Sequence, residues 1–233
     1  MKKLESQDKV RLAKFISACG ISSRRQAELL ILEGRVKLNG KIVKEVATKI
    51  DPQIDKVTVN DEVLKFEEKV YYLLNKPIGF LSSAKDPHHK QMVTDLVPKK
   101  YKVWPVGRLD KDSRGLLLLT NDGDLTYLLT HPKHTVQKVY QIELNDKITP
   151  ALLVALKKGV RLEEGLAKVD SVKKIADNKL EIVIHQGWKR QIRRMLAVLD
   201  YQVIDLLRLQ EGKLSLKDLA PGKYKILSKE DIV

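Results

Sequence analysis

The sequence predicts an α+β protein with two domains: a small N-terminal module of two helices and a hairpin, then a larger domain whose mixed, mainly antiparallel sheet is flanked by helices. Three observations predict this class. Helical periodicity precedes an Asn-Gly turn in the first part of the chain. A polar, charged stretch at residues 60–69 is typical of a linker. Beyond it, strands interleave with helices too irregularly for a parallel βαβ series. We therefore place the domains at residues 8–66 and 69–230.

The N-terminal module begins with two short helices. In VRLAKFISACG the apolar residues recur at helical spacing, and the closing glycine is a good helix stop. In SSRRQAELLILEG, Ser23 with Gln26 fits a capping box, and Gly34 ends the helix. VKLNGKIV alternates around Asn39-Gly40, the strongest short signal of a hairpin. The basic residues that we expect to be exposed on this module are Arg24, Arg25, Arg35, Lys37 and Lys41.

The second domain has five predicted strands and three predicted helices. The strands are VYYLLNKP (stopped by Pro77), GLLLLT, KVYQIEL, KLEIVIHQ and QVIDLLRL, of which we take QVIDLLRL as the final strand. The helices are DLTYLLTH (beginning at Asp124), PALLVALKKG (ending at Gly159) and KRQIRRMLAVLDY.

The charge of the chain favours a polyanionic partner. Lys and Arg total 44 against 30 Asp and Glu, a formal net charge of +14. Residues 1–66 hold 14 basic and 9 acidic residues, a net of +5, which leaves +9 for the rest. Because the excess is shared, we expect both domains to meet the same polyanion, such as nucleic acid or a membrane surface. A basic protein without such a partner is the alternative.

The sequence also disfavours several classes of protein. Cys19 is the only cysteine, which excludes an internal disulfide and a multi-cysteine zinc site. MKKLESQDKV lacks the apolar run of a signal peptide, and no stretch approaches the roughly 20 apolar residues of a membrane span. We expect a cytoplasmic protein with no membrane attachment, and a monomer. His88 and His89 lack a third ligand at convincing spacing, so we expect no metal site and a loop that touches RNA.

The last predicted helix is strongly basic. No acidic residue occurs between Ile182 and Leu199, while four basic residues crowd the beginning of the helix: Lys189, Arg190, Arg193 and Arg194. Positive charge at a helix N-terminus opposes the helix dipole, so an anion is expected there, either phosphate or a carboxylate of the protein. A solvated basic face is the alternative.

Asp110 is the candidate for such a carboxylate. In VGRLDKDSRGLLLLT it stands five residues before a buried strand, where we expect it at the edge of the sheet. A nearby arginine would keep it ionised and available as a nucleophile or base. A structural salt bridge fits this spacing equally well. A glycoside-type hydrolase that uses Asp110 and Asp112 as a carboxylate pair is another alternative, disfavoured by the positive charge and the 5% aromatic content.

Several motifs match a known enzyme family. VGRLDKDSRGLLLLTNDGDL, with YLLNKPIGFLSS upstream and GWKRQIRRM downstream, resembles the RsuA-type ribosomal RNA pseudouridine synthases. VRLAKFISACGISSRRQAELLILEGRVKLNGKIV resembles the αL RNA-binding motif that many members carry before the catalytic domain. The resemblance spans residues 10–229. It implies a pseudouridine synthase domain behind an RNA-binding module, with ribosomal RNA or a ribosomal assembly intermediate as partner. LEGRVKLNGKIVKEVATKID favours the RluB-like large-subunit branch.

The resemblance also implies roles for single residues. Asp110 would be the catalytic carboxylate, Arg108 would fill the gap left by a flipped base, Tyr140 would stack on that base and assist proton removal, and Arg193 would pair with the carboxylate. Isomerisation oxidises nothing and exchanges no group with a second substrate, so no cofactor is expected. The sequence does not choose between attack on the sugar, attack on the base and abstraction of a sugar proton. The residues expected to contact RNA are Arg108, Arg24, Arg25, Arg35, Lys37, Lys76, Lys189, Arg190 and Arg194.

The chain departs from the family pattern at three positions. Gln186 stands where an acid is common, Lys189 where asparagine is common, and Asp200 where a glycine often follows the helix. These changes bear on the fit of the substrate more than on activity. A non-catalytic RNA-binding or ribosome-assembly protein is the remaining alternative, and it predicts that Asp110 is dispensable.

Overall fold

The chain divides between Lys69 and Val70 into two units. The structure, a computed structural model, describes residues 9–84, 86 and 90–233, so His88 and His89 lie outside the described residues. Within the described part of the chain, no helix has the length and apolar character needed to cross a membrane.

The described residues of the first unit form two helices and six short strands. They are β1 (Val10–Arg11), α1 (Leu12–Ala18), α2 (Arg24–Leu32), β2 (Val36–Leu38), β3 (Lys41–Ile42), β4 (Lys49–Ile50), β5 (Val57–Val59) and β6 (Glu62–Val63). β1 pairs with β4, and a second antiparallel sheet has the order β3-β2-β5-β6. The apolar faces of both helices pack with β2, β4 and β5 into one core.

The turns of this unit follow from its sequence. The Ser23 hydroxyl accepts a hydrogen bond from the Gln26 backbone N–H and caps α2. Asn39 and Gly40 have φ of 50° and 83°, the left-handed pair that a tight hairpin needs. Asn60 and Asp61 close a second hairpin with φ of 52° and 69°. The expectation that residues 60–69 form a linker is therefore wrong at its start, because two residues tolerant of positive φ extend the sheet by one strand.

The described residues of the second unit form three α-helices and eleven strands. They are β7 (Tyr71–Lys76), β8 (Trp104–Pro105), β9 (Arg114–Thr120), α3 (Gly123–Thr130), β10 (Lys138–Leu144), α4 (Pro150–Lys158), β11 (Val160–Leu162), β12 (Gly165–Ala167), β13 (Ser171–Ala176), β14 (Lys179–Ile184), α5 (Gln191–Val198), β15 (Val203–Glu211), β16 (Leu214–Ser215) and β17 (Tyr224–Leu227).

Nine of these strands form one sheet in the order β13-β14-β10-β15-β9-β7-β17, with β16 paired to β15 and β8 to β9. β15 and β9 run parallel, and the other pairings are antiparallel. This confirms the predicted mixed, mainly antiparallel sheet. QVIDLLRL is not the final strand, since β16 and β17 follow it. β16 has only two residues, and three of the four residues of β17 are exposed.

Strand β9 lies between two hydrophobic cores. Leu117 and Leu119 belong to one core, and Leu116 and Leu118 to the other, and all four are fully buried. Alternate side chains of a strand point to opposite faces, so a run of four leucines fits a strand that is covered on both sides. The loop that precedes this strand is thereby anchored at the centre of the sheet.

Candidate active site

A cavity of about 290 Å³ lies in the second unit beside the start of β9. Its walls come from the loop before β9, from β10 and β15, and from the segment that leads into α5. Most of the predicted catalytic and arginine-rich motifs thus meet at one place. The residues that line the cavity are Gly107, Arg108, Leu109, Asp110, Ser113, Thr130, Lys138, Tyr140, Ile184, Gln186, Gly187, Trp188, Lys189, Arg190, Gln191, Ile192, Arg193, Leu206, Arg208 and Glu211.

Lys76 fixes the loop that carries Asp110. Its ammonium donates hydrogen bonds to the backbone carbonyls of Pro77, Asp110 and Ser113 at 3.1, 3.1 and 2.7 Å. The side chain is fully buried, and burial lowers the pKa of Lys76 from 10.5 to about 8. The prediction that Lys76 contacts RNA is therefore wrong: three carbonyls from two segments of the chain surround its charge.

A serine completes the support of this loop. The Ser82 hydroxyl donates to the Leu109 carbonyl at 2.8 Å and accepts from the Leu109 N–H at 3.0 Å. The Ser113 N–H donates to the Asp110 carbonyl. The backbone around Asp110 is held on both sides, so the carboxylate projects from a rigid loop.

Arg190 is the cation that lies beside Asp110. Its guanidinium is 3.8 Å from Asp110 Oδ2, and it donates two hydrogen bonds to the Asp112 carboxylate at 3.0 and 2.9 Å. These hydrogen bonds lower the pKa of Asp112 and raise the pKa of Arg190. Arg190 precedes α5 with φ of 50°, a left-handed conformation that is uncommon outside glycine. The predicted helix therefore begins only at Gln191.

Arg193 does not form the expected ion pair with Asp110 among the described residues. Its guanidinium donates to the backbone carbonyls of Val203 and Asp112 at 3.0 and 2.9 Å, and its Nε lies 3.5 Å from the Asp112 carboxylate. Arg193 thus ties α5 to the residue two positions after Asp110. The pairing differs because Arg190, one helical turn earlier, occupies the space nearer the carboxylate.

Tyr140 lies on β10 and is buried at the cavity wall. Its Cα partner on the neighbouring strand β15 is Arg208. Burial raises the pKa of Tyr140, and the positive charge of Arg208 opposes that effect without cancelling it. The phenol therefore stays protonated near neutral pH and lies beside a permanent positive charge.

Sequence reasoning missed a buried ion pair beneath Tyr140. Arg208 and Glu211 are 2% and 1% exposed, and their charged atoms approach to 3.3 Å. Arg208 Nε donates to the Leu116 carbonyl at 2.7 Å. The pair lacks hydrogen-bond geometry, so one terminal nitrogen of Arg208 and both carboxylate oxygens of Glu211 have no hydrogen-bond partner among the described residues. The sequence signal was weak, because the strand that holds both residues also contains Asp205 and Gln210.

Lys138 was also missed, although it lines the same cavity. It faces Glu211 across the strand pair, and its ammonium donates to the Val136 carbonyl at 3.1 Å. Burial lowers the pKa of Lys138, and the Glu211 carboxylate opposes that effect. The lysine two positions before the tyrosine in KVYQI points to the same face of the strand, which is the signal that could have found it.

The departures from the family pattern have structural explanations. The Gln186 side-chain oxygen accepts from Gln191 Nε2 at 2.8 Å and from the Lys168 N–H at 3.2 Å. These acceptor roles need an oxygen but no charge. Lys189 is exposed at the cavity rim. Asp200 has φ of 63°, which explains why glycine suits this position and why aspartate is tolerated there.

The remaining basic residues fall into two groups. Arg24 and Arg25 open α2, are exposed, and have no partner among the described residues. Arg35, Lys37 and Arg194 are already paired within the protein. Arg35 contacts Asn60 and Glu33, Lys37 contacts Asp61, and Arg194 donates two hydrogen bonds to Glu164.

The contacts of Asp112 exclude it as the general acid of the glycoside-hydrolase alternative. That chemistry needs one carboxylic acid to be protonated while the other is ionised. Asp112 is bound by Arg190, which lowers its pKa. A carboxyl group held in its ionised form cannot act as a general acid near neutral pH.

The chain matches known proteins along nearly its whole length. Residues 70–198 match a family model described as RNA pseudouridylate synthase, and residues 10–53 match the S4 domain. The chain is 38% identical over 229 residues to an uncharacterized RNA pseudouridine synthase of Aquifex aeolicus (strain VF5), covering 96% of this chain and 92% of that protein. It is 39% identical over 231 residues to ribosomal large subunit pseudouridine synthase B of Bacillus subtilis (strain 168), covering 95% and 93%. A crystal structure of a pseudouridylate synthase, 32% identical, aligns with a TM-score of 0.69 over 95% of this chain and 97% of the other.

Proposed function

Because the chain belongs to the RNA pseudouridylate synthase family and is thus an isomerase that converts uridine in RNA to pseudouridine, we propose that it modifies large-subunit ribosomal RNA and uses Asp110 as its catalytic carboxylate. The observation that carries the role of Asp110 is its position: a carboxylate on a rigid loop, 3.8 Å from the Arg190 guanidinium, in the cavity that Tyr140 also lines.

The reaction breaks the bond between the anomeric carbon of the sugar and N1 of the base, and forms a bond from the same carbon to C5. The C5 proton leaves and N1 gains a proton, so atoms and electrons balance without a second substrate. The Asp110 carboxylate lies beside the positive charge of Arg190 and can attack the sugar or the base, or remove a sugar proton.

The target base must leave its stack to enter a cavity of this size, at a cost of a few kcal/mol. Tyr140 presents an aromatic wall for the flipped base, and burial keeps its hydroxyl protonated. Arg108 is exposed at the rim and has no partner among the described residues, so it is available to occupy the vacated place in the RNA.

The S4 domain supplies a second RNA-binding surface. Arg24 and Arg25 extend from the start of α2 and have no partner within the described part of the chain. Such residues contact phosphates and position RNA without reading bases. The choice of large-subunit RNA is supported by the Bacillus subtilis relative, whose name states that target. We infer that the protein acts as a monomer in the cytoplasm, on free ribosomal RNA or on an assembly intermediate.

Pseudouridine mapping by carbodiimide labelling and reverse transcription tests the substrate. The RNAs are unmodified small- and large-subunit ribosomal RNA of the source organism, free and partly assembled, each treated with the wild-type protein. We expect one new stop in large-subunit RNA. A stop confined to small-subunit RNA would contradict the subunit assignment. Tight binding with no stop in any RNA would contradict the catalytic reading and favour the non-catalytic assembly factor.

A further inference from the structure

A cluster of rings and one ammonium group lies exposed at the end of α3. We call it the Tyr127 platform; it consists of Tyr127, His131, Lys133 and His134. Tyr127 is 47% exposed, although tyrosine usually buries most of its ring. The last two members belong to a 3-10 helix at Pro132–His134 that continues the chain beyond α3.

The members of the platform hold one another in place. The centroid of the Tyr127 ring lies 4.6 Å from that of His131 and 5.8 Å from that of His134. The Lys133 ammonium lies 4.9 Å from the centroid of the Tyr127 ring. The His131 Nδ1 accepts a hydrogen bond from the Lys133 N–H, which fixes the imidazole as well as the turn. The exposed rings are therefore pre-organised, which reduces the entropy lost when a ligand binds.

The platform adjoins the candidate active site within the same unit. Thr130, the residue before His131, lines the cavity. A Cβ atom at Gly107 would lie 3.8 Å from the Thr130 methyl group, so the end of α3 contacts the loop that carries Arg108 and Asp110. The platform is therefore within reach of a nucleotide next to a uridine that enters the cavity.

Proteins that bind single-stranded RNA commonly use exposed aromatic rings with an adjacent cation. Every nucleobase has a π-face that can stack on tyrosine or histidine, and lysine meets the phosphate. A cation over an exposed ring contributes only about 0.5–1 kcal/mol, so an arriving base can displace Lys133 from the ring. The freed ammonium then lies close to the phosphate that the same nucleotide brings.

We propose that the Tyr127 platform binds an unpaired nucleotide of the substrate RNA next to the flipped uridine, with the base stacked on Tyr127 and the phosphate bound by Lys133. This inference rests on the proposed function for its ligand. It assigns to the end of α3 a task that its contacts within the protein do not require, because Leu125 and Leu129 bury the opposite face of the helix.

The test measures the affinity of full-length variants for a fluorescently labelled RNA hairpin with a uridine-containing single-stranded loop. The same RNA annealed to its complement serves as the paired control. Tyr127→Leu removes the ring and keeps an apolar side chain, Tyr127→Phe keeps the ring, and Lys133→Gln removes the charge. Tyr224→Leu is the matched control, since Tyr224 is 39% exposed on β17 and does not line the cavity.

We expect Tyr127→Leu to weaken binding of the looped RNA by about ten-fold and to leave the paired RNA unchanged, with Tyr127→Phe near wild type. We expect Lys133→Gln to reduce the slope of log affinity against log salt by about 0.7. Equal losses for both RNAs, together with a lower Tm, would mean that the platform only supports the fold and would overturn the inference. Unchanged binding in every variant would overturn it as well, whatever other partner the platform has. Affinity is readable even if the wild-type protein modifies no RNA, so failure of the proposed function can be told apart from failure of this inference.

Discussion

The charge on Arg190 is shared between two carboxylates. Its guanidinium donates two hydrogen bonds to Asp112 and lies 3.8 Å from Asp110. Asp112 therefore determines how far the positive charge stands from the carboxylate to which we assign the chemistry. Arg193 also holds Asp112 in place, because its guanidinium donates a hydrogen bond to the backbone carbonyl of Asp112.

Removing the Asp112 charge should affect turnover more than stability. We expect Asp112→Asn to lower kcat by about ten-fold, equivalent to about 1.4 kcal/mol of transition-state stabilisation, because Arg190 loses its anchor. The free energy of unfolding should change by less than about 1 kcal/mol, since the pair is half-exposed. Glu164→Gln breaks the similar pair with Arg194 outside the cavity and is the control. Equal kcat in the two variants would argue against a role for Asp112.

Breaking the buried pair Arg208–Glu211 should, unlike Asp112→Asn, lower the free energy of unfolding strongly. Arg208→Met leaves the buried Glu211 carboxylate without its ion-pair partner, and we expect it to destabilise the protein by about 3–5 kcal/mol. In the double variant Arg208→Met, Glu211→Met most of the lost stability should be regained, but activity should not, because Tyr140 loses the neighbouring positive charge of Arg208. Urea unfolding and kcat, measured on both variants, check this. A double variant with wild-type activity would show that the pair only fills space.

The identity of these residues was predictable from the sequence only in part. Asp110 and Tyr140 stand in recognisable motifs, and both line the cavity. That Arg190 rather than Arg193 lies beside Asp110 was not predictable, because it depends on the left-handed conformation of Arg190 at the start of α5. Lys76 could not be assigned either, since two of its acceptors come from a loop more than thirty residues away.

Strand β7 and the loop before β9 act as one supporting element for the site. Lys76 ends β7 and crosses to the carbonyls of Asp110 and Ser113. Gly115 pairs with Arg208 where β9 meets β15, and its φ is 109°. A side chain at this position would collide with the backbone of Arg208. The position of Asp110 relative to Tyr140 and Arg208 thus follows from the packing of three adjacent strands.

This element should give the protein a specific pH dependence. The pKa of Lys76 is about 8 in the folded chain and 10.5 ordinarily, so between these values the unfolded chain holds the proton that the folded chain has lost. The contribution of Lys76 to stability therefore rises as the pH increases from about 8 to 10.5, by at most about 3 kcal/mol.

The measurement is the free energy of unfolding of the wild type and of Lys76→Met at pH 7 and pH 10. The free energy of unfolding of the wild type minus that of Lys76→Met should be larger at pH 10 than at pH 7. Lys225→Met, at an exposed lysine, is the control for the general titration of lysines. A difference that is constant with pH would contradict the lowered pKa.

Elements with strong apolar patterns were predicted well, and weakly patterned ones were not. β7, β9, β10, β14 and β15 coincide with the predicted strands because their alternate residues fill the cores. β17 was missed because three of its four residues are exposed and its place is set by pairing with β7, about 150 positions away in the chain. Pairing between backbones leaves little trace in the sequence of such a strand.

On the scale of the whole molecule, the positive charge is spread over both units. Arg24 and Arg25 of the first unit have no partner among its described residues, whereas Arg35 and Lys37 are held by neighbouring side chains. Free cations release more counterions from RNA than cations that must first leave an internal partner. The charge count alone predicted a polyanion, and the pairing pattern identifies which charges are available.

The double variant Arg24→Gln, Arg25→Gln should therefore bind RNA more weakly and with less dependence on salt. We expect the slope of log affinity against log salt to fall by about 1.4, for two lost phosphate contacts on single-stranded RNA. kcat at saturating RNA should stay near wild type. Arg35→Gln, which removes an internally paired arginine, should change the slope less. An equal change for Arg35→Gln would show that internal pairing does not decide which cations meet RNA.

The central claim is that the Asp110 carboxylate converts uridine to pseudouridine, and release of tritium from C5 of uridine tests it most directly. Ribosomal RNA labelled at that position is incubated with the wild type, with Asp110→Asn and with Asp218→Asn, an exposed aspartate outside the cavity. Tm and RNA affinity are measured on the same samples. We expect release by the wild type and by Asp218→Asn, and none above background by a folded, RNA-binding Asp110→Asn protein. Release by Asp110→Asn at the wild-type rate would contradict the claim and leave Asp110 as a structural partner of Arg190.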